Sequence, residues 1–536
     1  MNKDIIKQFL TEIVQDVPHD KRVLERFKHR FAKKNSCDII QNTEIIEAYR
    51  NMIKLGELSP NKELEEVLLT KNVRTLSGVA VIAVLTKPYP CPGNCLFCPT
   101  AKNMPKSYLA NEPAVMRAVL TKFDPYEQTF VRTKSLQANG HSTDKIELIV
   151  MGGTFSFFPP RYQKWFIKEC FRAANDFPFK RKPKTSSTLE KEKKRNEKSR
   201  NRIIGLTLET RPDYIDEKEI IKFRYLGATR VEIGVQSIFD DILKKNNRMH
   251  LTDATICATK LLKNAGFKIT YHLMPGLYGS TPEKDIQLFK TIYSDPRFQP
   301  DMVKIYPCVV NEDAALYHLW GKKEYKPLTN AQTKRIARKI KGITPPYVRI
   351  NRLIRDIPEE SIAAGPTITN LRQILQQEGV VCNCIRCREI KGTYTIKDTI
   401  ILDRIDYDAA NGKEIFLQFV SENKQKLYAI LRLRIPKDTE SQNHYIKALR
   451  GCALVREIHT YGKAVKIEDK KNTHEVQHSG LGKRLLQEAE RIARDECGHE
   501  KIAVISGVGV RDYYRKNGYR LIDEYMVKNL MKNKQS

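Results

Sequence analysis

The sequence lacks any apolar run that approaches the roughly 20 residues a helix needs to cross a bilayer. Its longest notable apolar run, VAVIAVL at 79–85, has the length of a β-strand. The N-terminal stretch 1–15, MNKDIIKQFLTEIVQ, mixes charges into a helical pattern and lacks the apolar core of a signal peptide. We therefore expect a cytosolic protein without a membrane partner.

Acidic residues are scarce relative to basic ones. Lys and Arg number 94 and Asp and Glu 63, which gives a formal net charge of +31. A polyanion gains affinity for such a surface because each neutralised phosphate releases counterions, so the composition favours nucleic acid as the partner. A basic surface that is simply hydrated is the alternative.

Cysteine is too sparse for a disulfide-stapled fold, with 12 cysteines in 536 residues. Six of them nevertheless form two tight clusters, at 91–98 and at 382–387. In a reducing compartment, such clusters indicate metal binding.

Shifts in composition divide the chain into four parts. Residues 1–75 are predicted to be basic and helical, and residues 76–375 alternate β-rich runs with amphipathic segments. Residues 376–395 carry the second cysteine cluster, and residues 396–536 have the pattern of an α+β domain with antiparallel strands. Within the second part, 180–202 is so rich in Lys, Arg and Glu that we predict a disordered insertion.

The second part predicts an α/β fold with a parallel sheet. Helical stretches separate its strand-like runs, and strand–helix–strand spacing indicates βαβ units. The predicted strands are 79–85, 145–153, 203–210, 229–237, 268–276 and 301–307. These units predict a partial (β/α) barrel, where chemistry collects at the carboxyl ends of the strands.

The stretch CPGNCLFCP at 91–99 follows the first predicted strand and carries Cys91, Cys95 and Cys98. A structural zinc site uses four ligands, and the sequence offers no fourth Cys or His nearby. A [4Fe–4S] cluster held by only three thiolates keeps one iron open, which S-adenosylmethionine occupies in radical enzymes. We interpret the loop as such a site, with zinc or a purely structural cluster as the alternative.

Polar and glycine residues at other strand ends fit the same interpretation. Gly152 and Gly153 allow main-chain contact with the S-adenosylmethionine amino group. Glu209 is a candidate for orienting this cofactor. Arg211 is a candidate partner for a carboxylate or phosphate. Further polar side chains at these ends are Gln236, Ser237 and His272. Each alone is more often structural, and their joint placement at one face is what favours a site.

The second cluster contains Cys382, Cys384 and Cys387, in VVCNCIRCRE between the barrel and the C-terminal domain. A tetrahedral zinc ion that joins the two domains is the natural prediction, and it needs a fourth ligand. Cys308 is our candidate, because it follows the last predicted barrel strand. Three incidental reduced thiols are the alternative.

The C-terminal part contains VQHSGLGKRLL, in which Gln477, Gly480 and Gly482 open an amphipathic helix. Glycines there leave backbone N–H groups free for a pyrophosphate. The pattern resembles the acetyl-CoA signature of the GNAT acyltransferases, and no Walker A sequence follows. In RDYYRKNGY, Tyr513 or Tyr514 is a candidate general acid for a leaving thiolate, with aromatic packing as the alternative role.

A cluster loop and an acetyl-CoA domain on one chain resemble the family of the catalytic subunit of Elongator (Elongator protein three). The resemblance runs from about residue 75 to the C-terminus. The strings that carry it are EPAVMRAVLTKFDPYEQ, DKIELIVMGGTF, LTLETRPDY, RVEIGVQS, HSGLGKRLL and RIARDECGHEKIAVISGVGVRDYY.

The resemblance implies a tRNA uridine(34) acetyltransferase that forms 5-carboxymethyluridine at the wobble position of the anticodon stem-loop. It implies that S-adenosylmethionine yields a 5′-deoxyadenosyl radical, which takes hydrogen from the methyl of acetyl-CoA. The resulting carbon radical adds to uridine C5, and the thioester is then hydrolysed. Accessory Elongator-type subunits and a homodimer both stay open.

The resemblance also implies site residues. Cys91, Cys95 and Cys98 are the implied cluster ligands. The implied acetyl-CoA contacts are Lys145, Glu457, Ile458, His459, Thr460, Leu481, Gly482, Lys483 and Tyr514. Since Lys145 belongs to the barrel sequence, the acetyl-CoA site is expected to bridge both domains. Two features depart from the family: the insertion at 180–202, and the cysteines at 382–387, for which zinc rests on spacing.

Two other functions compete. A protein lysine acetyltransferase of histone type needs a base and no radical, and it would reduce the first cysteine cluster to a structural role. A non-catalytic RNA-binding scaffold would need no glycine-rich CoA cradle, which argues against it.

Overall fold

Four helices form the N-terminal part of the protein. The computed structural model describes residues 3–68, 78–181, 187–390, 399–462 and 480–531. The helices are α1 Lys3–Gln15, α2 Lys21–Lys34, α3 Asn42–Lys54 and α4 Lys62–Leu68. Helix α2 begins after Asp20, whose carboxylate accepts from the Val23 amide. The helices share one apolar core, and Arg50 of α3 donates to the Gln137 carbonyl at 2.7 Å, which ties this part to the barrel.

A parallel sheet of seven strands forms the central part of the described chain, in the sequential order β1 to β7. The strands are β1 Ala80–Leu85, β2 Lys145–Met151, β3 Arg202–Thr210, β4 Arg230–Gln236, β5 Lys268–Leu273, β6 Met302–Ile305 and β7 Arg349–Arg352. β1 and β7 are the two edges, so the barrel is partial, as predicted. The six predicted strands are present, and β7 was missed because its RINR sequence is short and polar.

Helices precede, follow and separate the strands of this sheet. They are α5 Pro113–Leu120, α6 Pro125–Ala138, α7 Pro160–Asp176, α8 Leu189–Asn196, α9 Glu217–Leu226, α10 Asp240–Lys245, α11 Thr252–Asn264, α12 Pro282–Ser294, α13 Leu316–Gly321, α14 Asn330–Ile343, α15 Leu371–Gln377 and α16 Ile385–Arg388. Among the described helices, none combines the length and apolar character that crossing a membrane requires.

The segment predicted to be a disordered insertion, 180–202, instead contains helix α8. Leu189 is fully buried in the core, and Lys193 donates to the Tyr225 carbonyl and pairs with Glu524 at 2.6 Å. The prediction was wrong for 187–202 because partners distant in sequence neutralise and bury these polar side chains. Residues 182–186 lie outside the described residues, as do the predicted domain boundaries near 75 and 395.

A mixed sheet forms the C-terminal part, with strand order β13-β14-β12-β11-β10-β9-β8. Its strands are β8 Ile400–Ala409, β9 Gly412–Ser421, β10 Leu427–Pro436, β11 Cys452–Thr460, β12 Lys501–Val504, β13 Arg520–Ile522 and β14 Tyr525–Asn529. Its helices are α17 Asp438–Gln442, α18 Leu481–Arg491 and α19 Arg511–Arg515. β11 and β12 pair in parallel, and the other neighbours are antiparallel, which agrees with the predicted α+β pattern.

A layer of buried ion pairs joins the two sheets. Arg456 of β11 donates to Asp301, which precedes β6, and to Glu414 of β9, with 2.9 Å contacts to each. Arg434 of β10 donates to Glu414 at 3.0 Å, and the guanidinium of Arg432 lies 3.6 Å from Asp301. The side chains of all five residues are at most 1% exposed, so removing one partner would cost about 3–5 kcal/mol.

Candidate active site

The loop after β1 brings Cys91, Cys95 and Cys98 to one wall of a large cavity. The hydroxyl of Thr154 lies 3.6 Å from the Cys91 sulfur, and Arg248 donates to the Cys95 sulfur at 3.4 Å. Burial, together with the neighbouring Cys95 and Cys91 thiolates, raises the pKa of Cys98 to about 11. A metal that binds the thiolates would remove this penalty, because it supplies the positive charge they lack.

Arg211 packs against the cysteine loop. Its Nε and Nη2 atoms donate to the Asp213 carboxylate at 2.9 and 2.8 Å, so the carboxylate that it binds is internal. Its Nη1 atom is buried without a hydrogen-bond partner and faces Gly93, where a Cβ would overlap the guanidinium. Gln236, in the left-handed region at φ 66°, likewise has a buried Oε1 without a partner. These unpartnered polar atoms near the thiolates fit a cluster with a polar ligand.

The two glycines after β2 have different surroundings. Gly152 adopts φ 129°, and a Cβ there would overlap the Thr86 side chain, so this glycine is required by packing. Gly153 adopts φ 94° and lines the cavity, with the Lys106 carbonyl as its near neighbour. Gly153 is therefore the residue of the pair whose backbone is open to a ligand.

The cavity occupies the lumen of the partial barrel and has a volume of about 1360 Å³. Side chains that alternate along the strands line it, because every second residue of a strand faces the same side. On β4 these are Arg230, Glu232, Gly234 and Gln236. The lumen is consequently charged along its length rather than filled with apolar side chains.

A network of charged groups crosses the middle of the lumen. Glu232 accepts from His272 Nε2 at 2.7 Å and from the ammonium of Lys304. Burial would raise the pKa of Glu232, but Lys304 and His272 outweigh it and hold the pKa well below its usual range. Glu209 accepts from the Tyr108 hydroxyl at 2.9 Å and lies 3.8 Å from Lys304. The predicted site residue Glu209 thus belongs to this network.

The amino end of the lumen faces the C-terminal domain. Glu147 of β2 pairs with Arg230 at 2.6 Å, and both line the cavity. Burial would raise the pKa of Glu147, but Arg230, Lys268 and His459 outweigh it and lower the pKa. His459 is one of the predicted acetyl-CoA residues. Glu147 of the barrel and His459 of the C-terminal domain therefore lie near each other, as a site between the two domains requires.

The other predicted acetyl-CoA residues meet at the start of helix α18. A Cβ at Gly482 would lie 3.6 Å from both the Thr460 methyl and the Tyr513 hydroxyl, and 3.9 Å from Ile458. Tyr513 is 38% exposed, whereas Tyr514 is 4% exposed and belongs to the apolar core. Of the two tyrosines, Tyr513 therefore has its hydroxyl beside the glycine turn.

The remaining predicted acetyl-CoA residues have mixed surroundings. Leu481 is buried in the core and Lys483 is exposed on the first turn of α18. Lys145 starts β2, and burial lowers its pKa. Glu457 accepts from Arg432 at 2.9 Å and from Lys268 of the barrel at 3.3 Å, so its side chain bridges the domains. Burial would raise the pKa of Glu457, but these cations outweigh it and lower the pKa to about 2. Gln477 lies outside the described residues.

The second cysteine cluster has the spacing of a single-ion site. The sulfurs of Cys382, Cys384 and Cys387 lie within 4.8 Å of one another, at the start of α16. Arg372 donates towards the Cys387 sulfur at 3.8 Å. Cys382 and Cys387 also line the same cavity as the first cluster, although the sequence had placed the two clusters apart.

Cys308 is not part of this group, so its prediction as the fourth ligand was wrong. It is 1% exposed and packs in a separate apolar cluster with Leu277 and Tyr325. Burial raises its pKa to about 12, which suits a neutral thiol in a core. Among the described residues, the group at 382–387 contains three sulfur donors.

Sequence reasoning missed several cations of the site. Arg248 contacts the cluster loop from a turn that carries no motif, and Lys304 is one residue of a short buried strand. Arg349, Arg352 and Arg355 recur at every third position and all line the cavity. That regular spacing was the available signal, and it could have marked a basic wall.

A partial parallel barrel with a three-cysteine loop after its first strand defines a radical S-adenosylmethionine enzyme. Residues 89–292 match the Radical SAM superfamily and residues 300–379 match the Radical_SAM C-terminal domain. Membership of this superfamily implies a [4Fe–4S] cluster and S-adenosylmethionine, and the chain offers the cysteine trio they need.

The relatives narrow the class to one family. A tRNA uridine(34) acetyltransferase of Methanocaldococcus infernus is 43% identical, with 98% of each chain covered. Elongator complex protein 3 of Homo sapiens is 38% identical over 88% of this chain and 87% of its own. The solved archaeal Methanocaldococcus infernus Elp3 with an N-terminal deletion (1–46) aligns at TM-score 0.72 and 42% identity, over 84% of this chain and 99% of its own. The chain belongs to this family of tRNA uridine(34) acetyltransferases and Elongator complex protein 3.

Proposed function

We propose that the protein is a tRNA uridine(34) acetyltransferase that forms 5-carboxymethyluridine at the wobble position from acetyl-CoA. The observation that carries the proposal is the continuous lumen. It runs from the cysteine loop at Cys91–Cys98 to Glu147, which neighbours the predicted acetyl-CoA residue His459. A group delivered from the C-terminal domain can therefore reach the cluster end without leaving the protein.

The residues at the cluster end hold and shield the reacting groups. Cys91, Cys95 and Cys98 would bind the iron–sulfur cluster, with Arg248 offsetting the negative charge of the Cys95 thiolate. When bound, the cluster and S-adenosylmethionine supply one-electron chemistry that breaks unreactive C–H bonds. The backbone of Gly153 and the unpartnered Nη1 of Arg211 and Oε1 of Gln236 offer polar contacts to the cofactor.

The acetyl-CoA groups would lie between the two domains. The backbone N–H groups of Gly482 and Lys483, at the first turn of α18, can donate hydrogen bonds to a pyrophosphate at the positive end of the helix dipole. Tyr513, with its hydroxyl beside Gly482, and Tyr514 are the two candidates for protonating the leaving thiolate. Lys145 would add a cation from the barrel side.

The cavity walls favour an RNA substrate. Arginines concentrate on one side of the lumen, at Arg349, Arg352, Arg355, Arg372 and Arg386. Burial and then the charges of Arg372 and Arg349 lower the pKa of Arg386 to about 10. Arg349, Arg352 and Arg355 already pair with acidic side chains of the protein. A phosphate of the tRNA backbone would supply an anion for the other two cations, Arg372 and Arg386.

Cys382, Cys384 and Cys387 would bind a zinc ion that fixes the junction of the two domains. Their mutual sulfur distances suit one tetrahedral ion. All twelve cysteines are free thiols, which is consistent with a reducing, cytosolic compartment.

The test is anaerobic incubation of the reconstituted protein with tRNA, acetyl-CoA and S-adenosylmethionine, followed by mass spectrometry of the nucleosides. We expect 5-carboxymethyluridine that depends on both cofactors. Acetylated lysine on a protein substrate, with uridine unchanged, would contradict the proposal and favour a lysine acetyltransferase.

A further inference from the structure

One acid–base pair in the lumen has no role in the function described so far. His272 and Glu232 contact each other, and both line the cavity that the cluster loop borders. We propose that His272, oriented by Glu232, is the general base that hydrolyses the CoA thioester after the acetyl carbon has been joined to uridine. This inference rests on the proposed function and assigns the residues of its last step.

The geometry orients the imidazole. Nε2 of His272 lies 2.7 Å from the Glu232 carboxylate, which is held ionised by the Lys304 ammonium and so can only accept hydrogen bonds. The ring hydrogen therefore stays on Nε2, and Nδ1 carries the lone pair. Nδ1 makes no hydrogen bond to a described residue, and the side chain is 16% exposed in the cavity. This is the arrangement of a base with an orienting carboxylate.

The strand register sets the neighbours of the imidazole. His272 pairs with Gly234 on one neighbouring strand and with Lys304 on the other. The Arg248 guanidinium and the Gln236 amide fill the space over Gly234, since a Cβ there would lie 2.7 and 3.1 Å from them. Water and a substrate acyl group would therefore reach Nδ1 from the cavity that His272 lines.

Other groups in the lumen are less suited to be the base. Glu147 is paired with Arg230, Glu389 with Arg349, and Glu209 with the Tyr108 hydroxyl. Each of these carboxylates is engaged by a described neighbour, whereas Nδ1 of His272 makes no hydrogen bond to a described residue. His272 is the one imidazole that lines the cavity in the part of the chain that the structure describes.

The step balances without an oxidant or reductant. Nδ1 takes a proton from water as the water oxygen bonds to the thioester carbonyl carbon, and the C=O electron pair moves onto oxygen. The Lys304 ammonium, which also lies 3.8 Å from Glu209, stabilises that oxyanion. The C=O bond re-forms and the C–S bond breaks. The thiolate takes the proton of the candidate tyrosine near the start of α18, and the imidazolium returns its proton to that phenolate through water. Thioester and water become carboxylic acid and thiol.

The test compares His272→Gln with the wild-type protein in the anaerobic tRNA reaction. Glutamine retains an N–H donor for Glu232 and has no basic nitrogen, so the network is kept and the base is removed. We expect 5-carboxymethyluridine to form about 10²–10⁴-fold more slowly. The uridine–CoA thioester should accumulate on the tRNA, while 5′-deoxyadenosine forms at an unchanged rate. Exposed His318 provides the matched control, and His318→Gln should behave as wild type.

A second variant separates a catalytic from a structural role. In His272→Gly, added imidazole should restore thioester hydrolysis, whereas it would not repair a misfolded lumen. Wild-type rates of carboxylate formation in His272→Gln, or the absence of both thioester and carboxylate, would overturn the inference while the proposed function stands. Wild-type protein that modifies no uridine would overturn the proposed function, and the inference with it.

Discussion

The two cysteine trios look alike in sequence and differ in geometry. At 382–387, three sulfurs crowd within 4.8 Å of one another at the start of a short helix. The trio at 91–98 lies in an extended loop, and it is not among the groups of described residues with donors that close. A single tetrahedral ion needs the close sulfur spacing of Cys382, Cys384 and Cys387. A cluster binds each thiolate through a different iron, which fits the wider spacing of Cys91, Cys95 and Cys98.

The surroundings of the trios differ as well. Thr154, Arg211 and Arg248 surround the first trio and leave polar atoms unpartnered. The second trio has Cys384 fully buried and the Arg372 guanidinium beside Cys387. The first trio therefore has unpartnered polar groups beside it that a ligand could contact. The second trio, two of whose cysteines line the same cavity, has the sulfur spacing of a single-ion site.

The largest expected effect comes from removing one sulfur of the first trio, at 91–98. Cys95→Ser should abolish 5-carboxymethyluridine formation and lower the bound iron while zinc stays, measured by nucleoside mass spectrometry and metal analysis. Cys257→Ser, at an exposed cysteine, is the matched control and should change neither. Full modification by the Cys95 variant would show that the first trio is not the catalytic one.

The reverse result should follow from removing two sulfurs of the second trio. The double variant Cys382→Ser/Cys384→Ser should lose zinc and keep iron, because the two sites share no ligand. A structural ion contributes folding energy, so we expect the unfolding free energy to drop by about 3 kcal/mol or more. Metal analysis and thermal unfolding measure this, and unchanged zinc content would rule out the site.

A smaller effect should distinguish the two arginines that contact sulfur. Arg248→Gln removes a positive charge from Cys95 and makes addition of an electron less favourable, so the reduction potential of the cluster should fall. Arg372→Gln should leave that potential unchanged and weaken zinc binding about 10–100-fold. Potentiometric titration and zinc competition provide the two measurements. Equal effects of both variants on both metals would contradict separate sites.

The smallest effect is expected at Cys308, which the sequence had assigned to zinc. Cys308→Ala should leave zinc and iron contents unchanged, because the thiol packs beside Tyr325. The loss of its contacts should lower the unfolding free energy by about 1 kcal/mol. Loss of zinc from this variant would restore Cys308 as a ligand.

The strands were predictable because apolar residues recur at every second position of strands such as β2 and β4, while the other face carries the charged side chains of the lumen. β7 was not, since RINR has one apolar side chain that is fully buried, Ile350. Helix α8 was missed for a related reason. Its buried Lys193 depends on Glu524, more than three hundred residues away, and local polarity carries no sign of that partner.

Some residues of the candidate site could be predicted from local sequence, and the contacts of others could not. The prediction that Cys91, Cys95 and Cys98 form one site needed only their spacing and the strand that precedes them. Arg211 was expected to bind a carboxylate or phosphate. Asp213, two residues on, accepts from its Nε and Nη2 atoms, and its Nη1 atom has no hydrogen-bond partner. The distances that decide such questions arise from side-chain packing across strands. The hydrogen bond between His272 and Glu232 likewise joins two neighbouring strands. The sequence predicts the order of these strands along the chain but not which of their side chains meet.

The buried ion pairs between the sheets also restrict how the protein can be recombined. Arg432, Arg434 and Arg456 come from the C-terminal sheet, and Asp301 comes from the barrel. A chimera that takes its two halves from different relatives would place unmatched charges in a sealed interface, unless both parents carry the same set. Such chimeras should fold only when these positions are transferred together, so the pair of domains behaves as one inherited unit.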